Sequence, residues 1–250
     1  MKRILTLVLV LFFSEDSIVG QTTCEKVDLK LSYPKNPTAK VWKINNAVIG
    51  YVSEMTIDVD GSPRAYHPQN IGLDNLSSAG GVGNVSPSVI VFEGNKPYIQ
   101  KSSDPFPGYY LSQTSLVDAT KKATDYRRYV NSEEIPYIAI PPNLIAKGVK
   151  KGDLAYVFNQ KTNKGSFAIV ADTGNNKHIG EGSVKLSENL GIKLIYKKNL
   201  KQIIASDSDK GIVYLIFPNS GNNKPLTLAE IEAKSQQFDK AEIKKMIACL

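Results

Sequence analysis

The sequence predicts a mainly β fold, with an α+β fold as the alternative, and two observations support this. Short apolar or alternating segments rich in β-branched and aromatic residues recur along the chain, as strands do. Proline or glycine stands at nearly every join between these segments, which is typical of turns. The 250 residues contain no internal repeat and no low-complexity linker, so we expect one domain over residues 21–250.

Eight segments are predicted to be strands. The first is amphipathic, and the sixth is a short continuous apolar run that indicates a buried strand. A Pro-Pro pair at 141–142 ends the fourth segment, and Gly152 lies in the turn into the fifth. In chain order the segments are residues 47–57, 88–93, 109–112, 135–140, 154–159, 167–172, 193–196 and 212–217.

Helical patterns occur at residues 72–79, 184–190 and 228–247. Ser183 is a candidate N-cap for the second helix, and Gly191 would end it. Thr227 and Glu230 form a capping box that would start the third. We expect this C-terminal helix to pack on the sheet through one apolar face, with a partner-binding helix as the alternative. The apolar residues of that face are Leu228, Ile231, Phe238, Ile243 and Met246.

The first residues predict a secretory signal peptide. Lys2 and Arg3 precede an apolar run at 4–13, and a polar stretch follows it. This run is shorter than the roughly 20 helical residues that span a bilayer, so no membrane span is expected. We expect cleavage after Gly20, removal of residues 1–20, and secretion to the extracellular space or the periplasm.

Two cysteines, Cys24 and Cys249, lie near the two ends of the mature chain. In an oxidising compartment a disulfide joining them is expected, and two unpaired thiols are the alternative. The two histidines, His67 and His178, have no cysteine nearby, so local spacing predicts no zinc site. We expect no cofactor.

The net charge of +7 is a moderate basic excess. The lysines are interspersed with acids and lack interleaved aromatic residues, so nucleic acid binding is not expected. Binding to anionic surfaces such as cell-wall polymers stays open.

Two acids, Asp172 and Glu181, flank one glycine-containing loop. Asp172 closes the buried strand at 167–172, so its carboxyl should leave the core at a sheet edge. Glu181 comes just before Ser183 and the second predicted helix. This arrangement predicts a two-carboxylate hydrolase, whereas a turn-capping Asp172 and a solvated Glu181 are the structural alternative.

The loop after the first strand is dense in polar and aromatic groups. Asp58 and Asp60 alternate with apolar residues, which places both acids on one face. The Asp-x-Asp-Gly pattern lacks the further ligands of an EF-hand, so no metal site is predicted. Arg64, Tyr66 and His67 follow, and either a substrate-binding role or a β-turn with Arg64 paired to an acid fits the pattern.

These blocks together resemble glycoside hydrolase family 75, the secreted endo-chitosanases. The resemblance covers about residues 45–195 and implies an inverting, endo-acting hydrolase of β-1,4-linked glucosamine polymers whose catalytic pair is Asp172 and Glu181. The chain departs from the family pattern where Asn175 follows Gly174, and its terminal helix has no counterpart. The blocks are Asp58-Val-Asp60-Gly-Ser-Pro-Arg-Ala-Tyr-His, Ile135-Pro-Tyr-Ile-Ala-Ile-Pro-Pro, Gly152-Asp-Leu-Ala, Ile169-Val-Ala-Asp172-Thr-Gly and Gly180-Glu181-Gly-Ser183.

The element Ala171-Asp172-Thr-Gly174 is also similar to the Asp-Thr-Gly signature of double-psi β-barrel glycan cleavers, which include lytic transglycosylases. This similarity implies a double-psi-like β-barrel, to which the helical patterns described above add a few peripheral helices and a C-terminal helix. It also implies a strand-end aspartate that acts as general acid. A lytic transglycosylase and a non-catalytic secreted glycan-binding barrel are therefore the alternatives to a hydrolase.

We assign the two acids different roles. Asp172 ends an apolar strand, where desolvation raises a carboxyl pKa, so it is the predicted general acid. Glu181 precedes a helix N-terminus, which favours the ionised form, so it is the predicted general base. Inversion requires about 6.5–9.5 Å between the two carboxyls.

Chitosan is a polycation, and a protein of charge +7 repels it unless the cleft itself is acidic. If the acids are scattered instead, a neutral or anionic glycan such as peptidoglycan is the better substrate. We expect a monomer with a polysaccharide as its partner. The predicted substrate-binding residues are Asp58, Asp60, Arg64, Tyr66, His67, Tyr137 and Asp153.

Overall fold

A nine-stranded mixed sheet is the centre of the computed structural model, which describes residues 24–208 and 210–250. Strands hold 27% of the residues and helices 15%, which confirms the mainly β prediction. The predicted signal peptide, residues 1–20, lies outside the described residues. The strands are β1 Lys26–Asp28, β2 Val41–Ile44, β3 Val48–Ser53, β4 Thr56–Asp58, β5 Phe92–Glu93, β6 Lys96–Pro97, β7 Tyr137–Ile140, β8 Leu154–Asn159, β9 Lys164–Thr173, β10 Glu181–Ser183, β11 Leu194–Tyr196, β12 Ile203–Ser206 and β13 Ile212–Phe217.

The large sheet has the order β1-β2-β3-β13-β8-β9-β7-β10-β4. Among its pairs in the described part of the chain, only β9–β7 and β10–β4 are parallel. Strands β3 and β4 stand at opposite ends of a seven-strand run, yet only Glu54 and Met55 separate them in the chain. The sheet must therefore curl until the two ends of the run meet. Within the described ranges no hydrogen-bond ladder closes this run into a barrel.

The curled sheet has a core on each of its faces. Tyr51, Ile138, Val170 and Tyr214 are fully buried in one cluster. The other face carries Tyr137, Leu215 and their neighbours, and the C-terminal helices cover it with Ile231 and Ile243. Because side chains alternate along a strand, the two clusters use alternate residues of β7, β9 and β13.

Residues 24–208 and 210–250 contain four α-helices: α1 Pro142–Ile145, α2 Val184–Asn189, α3 Leu228–Ser235 and α4 Lys240–Ala248. Ser183 caps α2 by accepting a hydrogen bond from the Leu186 amide, and the predicted capping box of Thr227 and Glu230 is present. The predicted helix at 228–247 is two helices, because Asp239 caps a new N-terminus. Phe238, between them, stacks on Phe167 and packs against the tilted ring of Phe217.

Other predictions of single elements differ from the structure. The segment 47–57 forms two strands, β3 and β4, since the chain changes its pairing partner at Glu54. Segments 88–93 and 109–112 form little more than the β5–β6 hairpin and isolated bridges outside the large sheet. Residues 72–79 form only a short 3-10 helix, Leu76–Ala79.

A disulfide joins Cys24, before β1, to Cys249, at the end of α4, which confirms the predicted pairing. It spans 225 residues, for which the chain-entropy treatment gives about 5 kcal/mol of stabilisation. Lys26 reinforces this junction by donating a 2.6 Å hydrogen bond to the carbonyl of Cys249. In the described ranges no helix has the length and apolar character needed to cross a bilayer.

Candidate active site

A cleft of about 720 Å³ opens beside the parallel β10–β4 pair. Strand β12 of the β11–β12 hairpin contributes one wall, and the end of β9 with the chain after it contributes another. Apart from Tyr66, every titratable side chain that lines the cleft among the described residues is an acid. These acids are Glu54, Asp58, Asp60, Asp74, Asp172 and Glu181.

Asp172 and Glu181 lie at the same level of the sheet on either side of β7. Ala139 of β7 is the register partner of Asp172 in β9 and of Glu181 in β10. Laterally paired residues point to the same face, so both acids face the same side of the sheet. Two strand spacings separate their Cα atoms, which is roughly 10 Å.

A β-bulge directs Asp172 to this face. Ile138 pairs with Val170, but the next residue, Ala139, pairs with Asp172, so Ala171 is the extra residue. In a regular ladder Ala171 would stand opposite Ala139, and Asp172 would point into the core cluster around Val170. Bulges are common next to active sites, where they redirect a side chain.

The hydrogen bonds that hold the Asp172 carboxyl are made to one of its two oxygens. Its Oδ1 accepts hydrogen bonds from the amide of Ser115 at 3.0 Å, from the amide of Thr173 at 2.7 Å, and from the Ser115 hydroxyl. Burial raises the pKa of Asp172 from 3.8 to about 6, although these hydrogen bonds oppose the rise, and the charge of Glu181 adds to it. Because the donors occupy Oδ1, a bound proton belongs on Oδ2.

Asp58 and Asp60 complete an acidic cluster with Asp172, in which the carboxylate oxygens lie within 4.8 Å of one another. Burial, followed by repulsion among these acids, raises the pKa of Asp58 and of Asp60 well above the usual range. Ser112 donates to Asp60 at 3.0 Å, and Tyr66 is also hydrogen-bonded to it. These three carboxyls are the residues that could hold a hard cation, which prefers oxygen ligands.

Glu181 has a different surrounding. Its Oε1 lies 3.2 Å from Nδ1 of His178, and Nε2 of the same ring lies 3.0 Å from the Thr56 hydroxyl. The other carboxylate oxygen, Oε2, lies over Gly174, where an added Cβ would stand only 2.5 Å away. His178 thus holds Oε1 of Glu181, and Oε2 has room because residue 174 is a glycine.

The structure brings Asp58, Asp60 and Tyr66 into the cleft with Asp172 and Glu181, but it places four other predicted substrate-binding residues elsewhere. Arg64 forms an ion pair with Glu133, which is the turn alternative. His67 packs against Tyr109 and accepts a hydrogen bond from the amide of Gln69. Both side chains are engaged by these partners, and neither lines the cleft.

The predictions that Tyr137 and Asp153 bind substrate are also corrected. Tyr137 is fully buried beneath the cleft, where its hydroxyl donates to the carbonyl of Asp60 at 2.9 Å, so it supports the loop. Asp153 is fully buried in a turn and accepts from the amides of Lys150 and Gly221. Neither side chain lines the cleft.

Sequence reasoning missed Asp74, Ser115 and His178. Asp74 lines the cleft, and burial raises its pKa. Ser115 holds Asp172 from a segment 57 residues away, a contact that no local pattern reveals. The signal for His178 was its spacing, because it precedes Glu181 by three residues in the same loop.

No protein-family model matches this chain, and no curated protein is significantly similar to it.

Proposed function

We propose that this protein is a secreted glycoside hydrolase that cleaves β-1,4-linked glucosamine polymers with inversion. The observation that carries the proposal is the purely acidic cleft on a chain of net charge +7. A cleft lined by one sign of charge concentrates ligands of the opposite sign. Chitosan suits such a cleft, whereas an anionic glycan would be repelled by it.

The proposed chemistry divides the work between two carboxyls. Asp172, whose pKa of about 6 keeps much of it protonated in mildly acidic solution, donates its Oδ2 proton to the leaving glycosidic oxygen. Glu181 accepts a proton from the water that attacks the opposite face of the sugar. A Cα separation of roughly 10 Å suits carboxyls that stand about 6.5–9.5 Å apart with a water between them.

The acids around Asp172 support its role as the proton donor. Asp58 and Asp60 lie within 4.8 Å of it, and three such carboxyls do not all ionise together. The cluster therefore retains protons at a pH where isolated aspartates have lost them. We infer that these protons keep Asp172 supplied during turnover.

Secretion is part of the proposal. The disulfide between Cys24 and Cys249 is typical of an oxidising compartment. A secreted enzyme also has access to cell-wall and extracellular polysaccharides. The expected mature protein begins at Gln21.

The first prediction concerns substrate charge. Wild-type protein should release reducing ends from deacetylated chitosan faster than from N-acetylated chitin oligomers of equal length, because only the former is cationic. Added salt should slow the chitosan reaction more, since it screens the attraction. No release from either substrate would contradict the proposal. Faster cleavage of a neutral or anionic glycan would overturn the substrate assignment.

A second prediction concerns the hairpin wall. Ile204 lines the cleft although 59% of it is exposed, and sugar rings present an apolar face of C–H groups. Ile204→Ala should raise KM for chitosan by roughly three- to tenfold with little change in kcat, as loss of uniform binding does. Ile195→Ala is the matched control, since Ile195 is exposed on the same hairpin outside the cleft lining. Equal effects of the two changes would exclude a sugar-binding role for Ile204.

A further inference from the structure

His178 makes a two-sided contact beside the cleft. Its side chain is only 10% exposed, with Nδ1 facing Glu181 Oε1 and Nε2 facing the Thr56 hydroxyl. Thr56 and Glu181 are register partners on adjacent strands β4 and β10, so both partners of the ring are fixed by the sheet. The ring therefore bridges two neighbouring strands at the position of the proposed base.

The loop that carries His178 is anchored on both sides. The amide of Ile179 donates to Asn36 Oδ1 at 3.1 Å, and the carbonyl of Ile179 accepts from Ser53 at 3.1 Å. Asn176 accepts from the amide of Asn143 at 3.0 Å. These bonds hold the imidazole in place, so it can orient a neighbouring group.

The hydrogen-bonding capacities of the partners define the state of the ring. An ionised carboxylate only accepts hydrogen bonds, so Nδ1 of His178 must carry the proton that faces Glu181. In the neutral ring Nε2 is then an acceptor, and the Thr56 hydroxyl donates to it. Glu181 thus selects the tautomer, and the Thr56 hydroxyl, which can donate or accept, completes the hydrogen bonding of the ring.

The other oxygen of Glu181, Oε2, lies over Gly174, a residue of the cleft lining. With Oε1 engaged by His178, Oε2 is the oxygen available to a water. A side chain at position 174 would displace Oε2.

We propose that His178 is a positioning residue that, through its Nδ1–H and with Thr56 on its other nitrogen, holds the Glu181 carboxylate so that Oε2 faces the attacking water. This inference rests on the proposed function, because it gives Glu181 the role of general base. It adds a second group to the base side of the reaction, which the paired-acid pattern does not contain.

The kinetic test compares three replacements of His178. Asn keeps a side-chain N–H near the position of Nδ1, whereas Gln and Ala do not. His178→Gln and His178→Ala should lower kcat on chitosan about ten- to a hundredfold with KM nearly unchanged, the effect of losing one hydrogen bond to a charged group. His178→Asn should restore most of kcat. If all three variants match wild type, or if Asn is as impaired as Ala, the proposal is wrong.

The spectroscopic test does not depend on activity. Long-range ¹H–¹⁵N correlation of the imidazole rings should show His178 in the Nδ1–H tautomer in neutral solution, and Glu181→Ala should abolish that preference, because it removes the acceptor that faces Nδ1. His67→Gln provides both the assignment and a control, since the chain has two histidines and His67 lies outside the cleft. An Nε2–H tautomer in the wild type would overturn the inference. An inactive wild type with the Nδ1–H tautomer would instead refute the proposed function and leave the orientation of Glu181 supported.

Discussion

Asp172→Asn is expected to lower chitosan hydrolysis by about 10²–10⁴-fold, the usual contribution of a general acid, while making the folded protein more stable in neutral solution. Asn has nearly the same shape, and its carbonyl oxygen can accept the hydrogen bonds that Ser115 and Thr173 now donate to Oδ1. The variant therefore loses the transferable proton but keeps the local structure. Initial rates of reducing-end release measure the first effect.

The stability gain follows from the raised pKa of Asp172. Between its ordinary pKa of 3.8 and the folded value of about 6, the folded state binds more protons than the unfolded state. Stability therefore falls as pH rises through this window, by about 3 kcal/mol for this group. Asn carries no such penalty. The free energy of unfolding in denaturant should favour the variant over wild type at pH 7 and much less at pH 4.

Asp118→Asn is the control with the opposite sign. The Lys121 ammonium, 2.8 Å away, and Thr120 lower the pKa of Asp118, so its ionised form favours the folded state. This variant should be less stable than wild type at pH 7, and the difference should disappear only as the pH falls below about 4, where the carboxyl of the unfolded chain is protonated. Its activity should be unchanged because Asp118 does not line the cleft. If Asp172→Asn also loses stability at pH 7, the carboxyl is a structural group and the acid assignment fails.

The sequence predicted those parts of the site that depend on local patterns. Ser183 was recognised as an N-cap, and the apolar run before Asp172 was recognised as a buried strand. The disulfide followed from two cysteines and a predicted secretory context. Asp58 and Asp60 were placed on one face by alternation, and both now line the cleft.

Other features depend on contacts that the sequence does not display. The bulge at Ala171 exists because β7 and β9 pair with a shifted register, and a one-residue shift changes which face Asp172 occupies. Arg64 pairs with Glu133, which lies 69 residues away in the chain. The sequence pattern therefore fitted a substrate and an acid equally well as the partner of Arg64. Strands β1 and β2 were missed because they are short and lie at one end of the sheet.

Glu181→Gln is the second change with a large expected effect, and it distinguishes a hydrolase from a transglycosylase. A hydrolase needs a base to activate water, so reducing-end release from chitosan should fall by about 10²–10⁴-fold. A transglycosylase needs only the acid at Asp172, so its activity would survive and its products would be lighter by one water. Mass spectrometry of the oligosaccharide products separates the two outcomes.

The control for Glu181→Gln is Glu54→Gln, the same substitution at another position of the same cleft. Glu54 also lines it and accepts a 3.3 Å hydrogen bond from Asn36, but it is not a register partner of Ala139. Glu54→Gln should leave the rate within a few-fold of wild type, because the charge it removes contributes only to attraction of the polymer. Gln at position 181 still offers an oxygen to the Nδ1–H of His178, so the side chain keeps its orientation. A large loss confined to position 181 therefore reports the missing proton acceptor and not a displaced side chain.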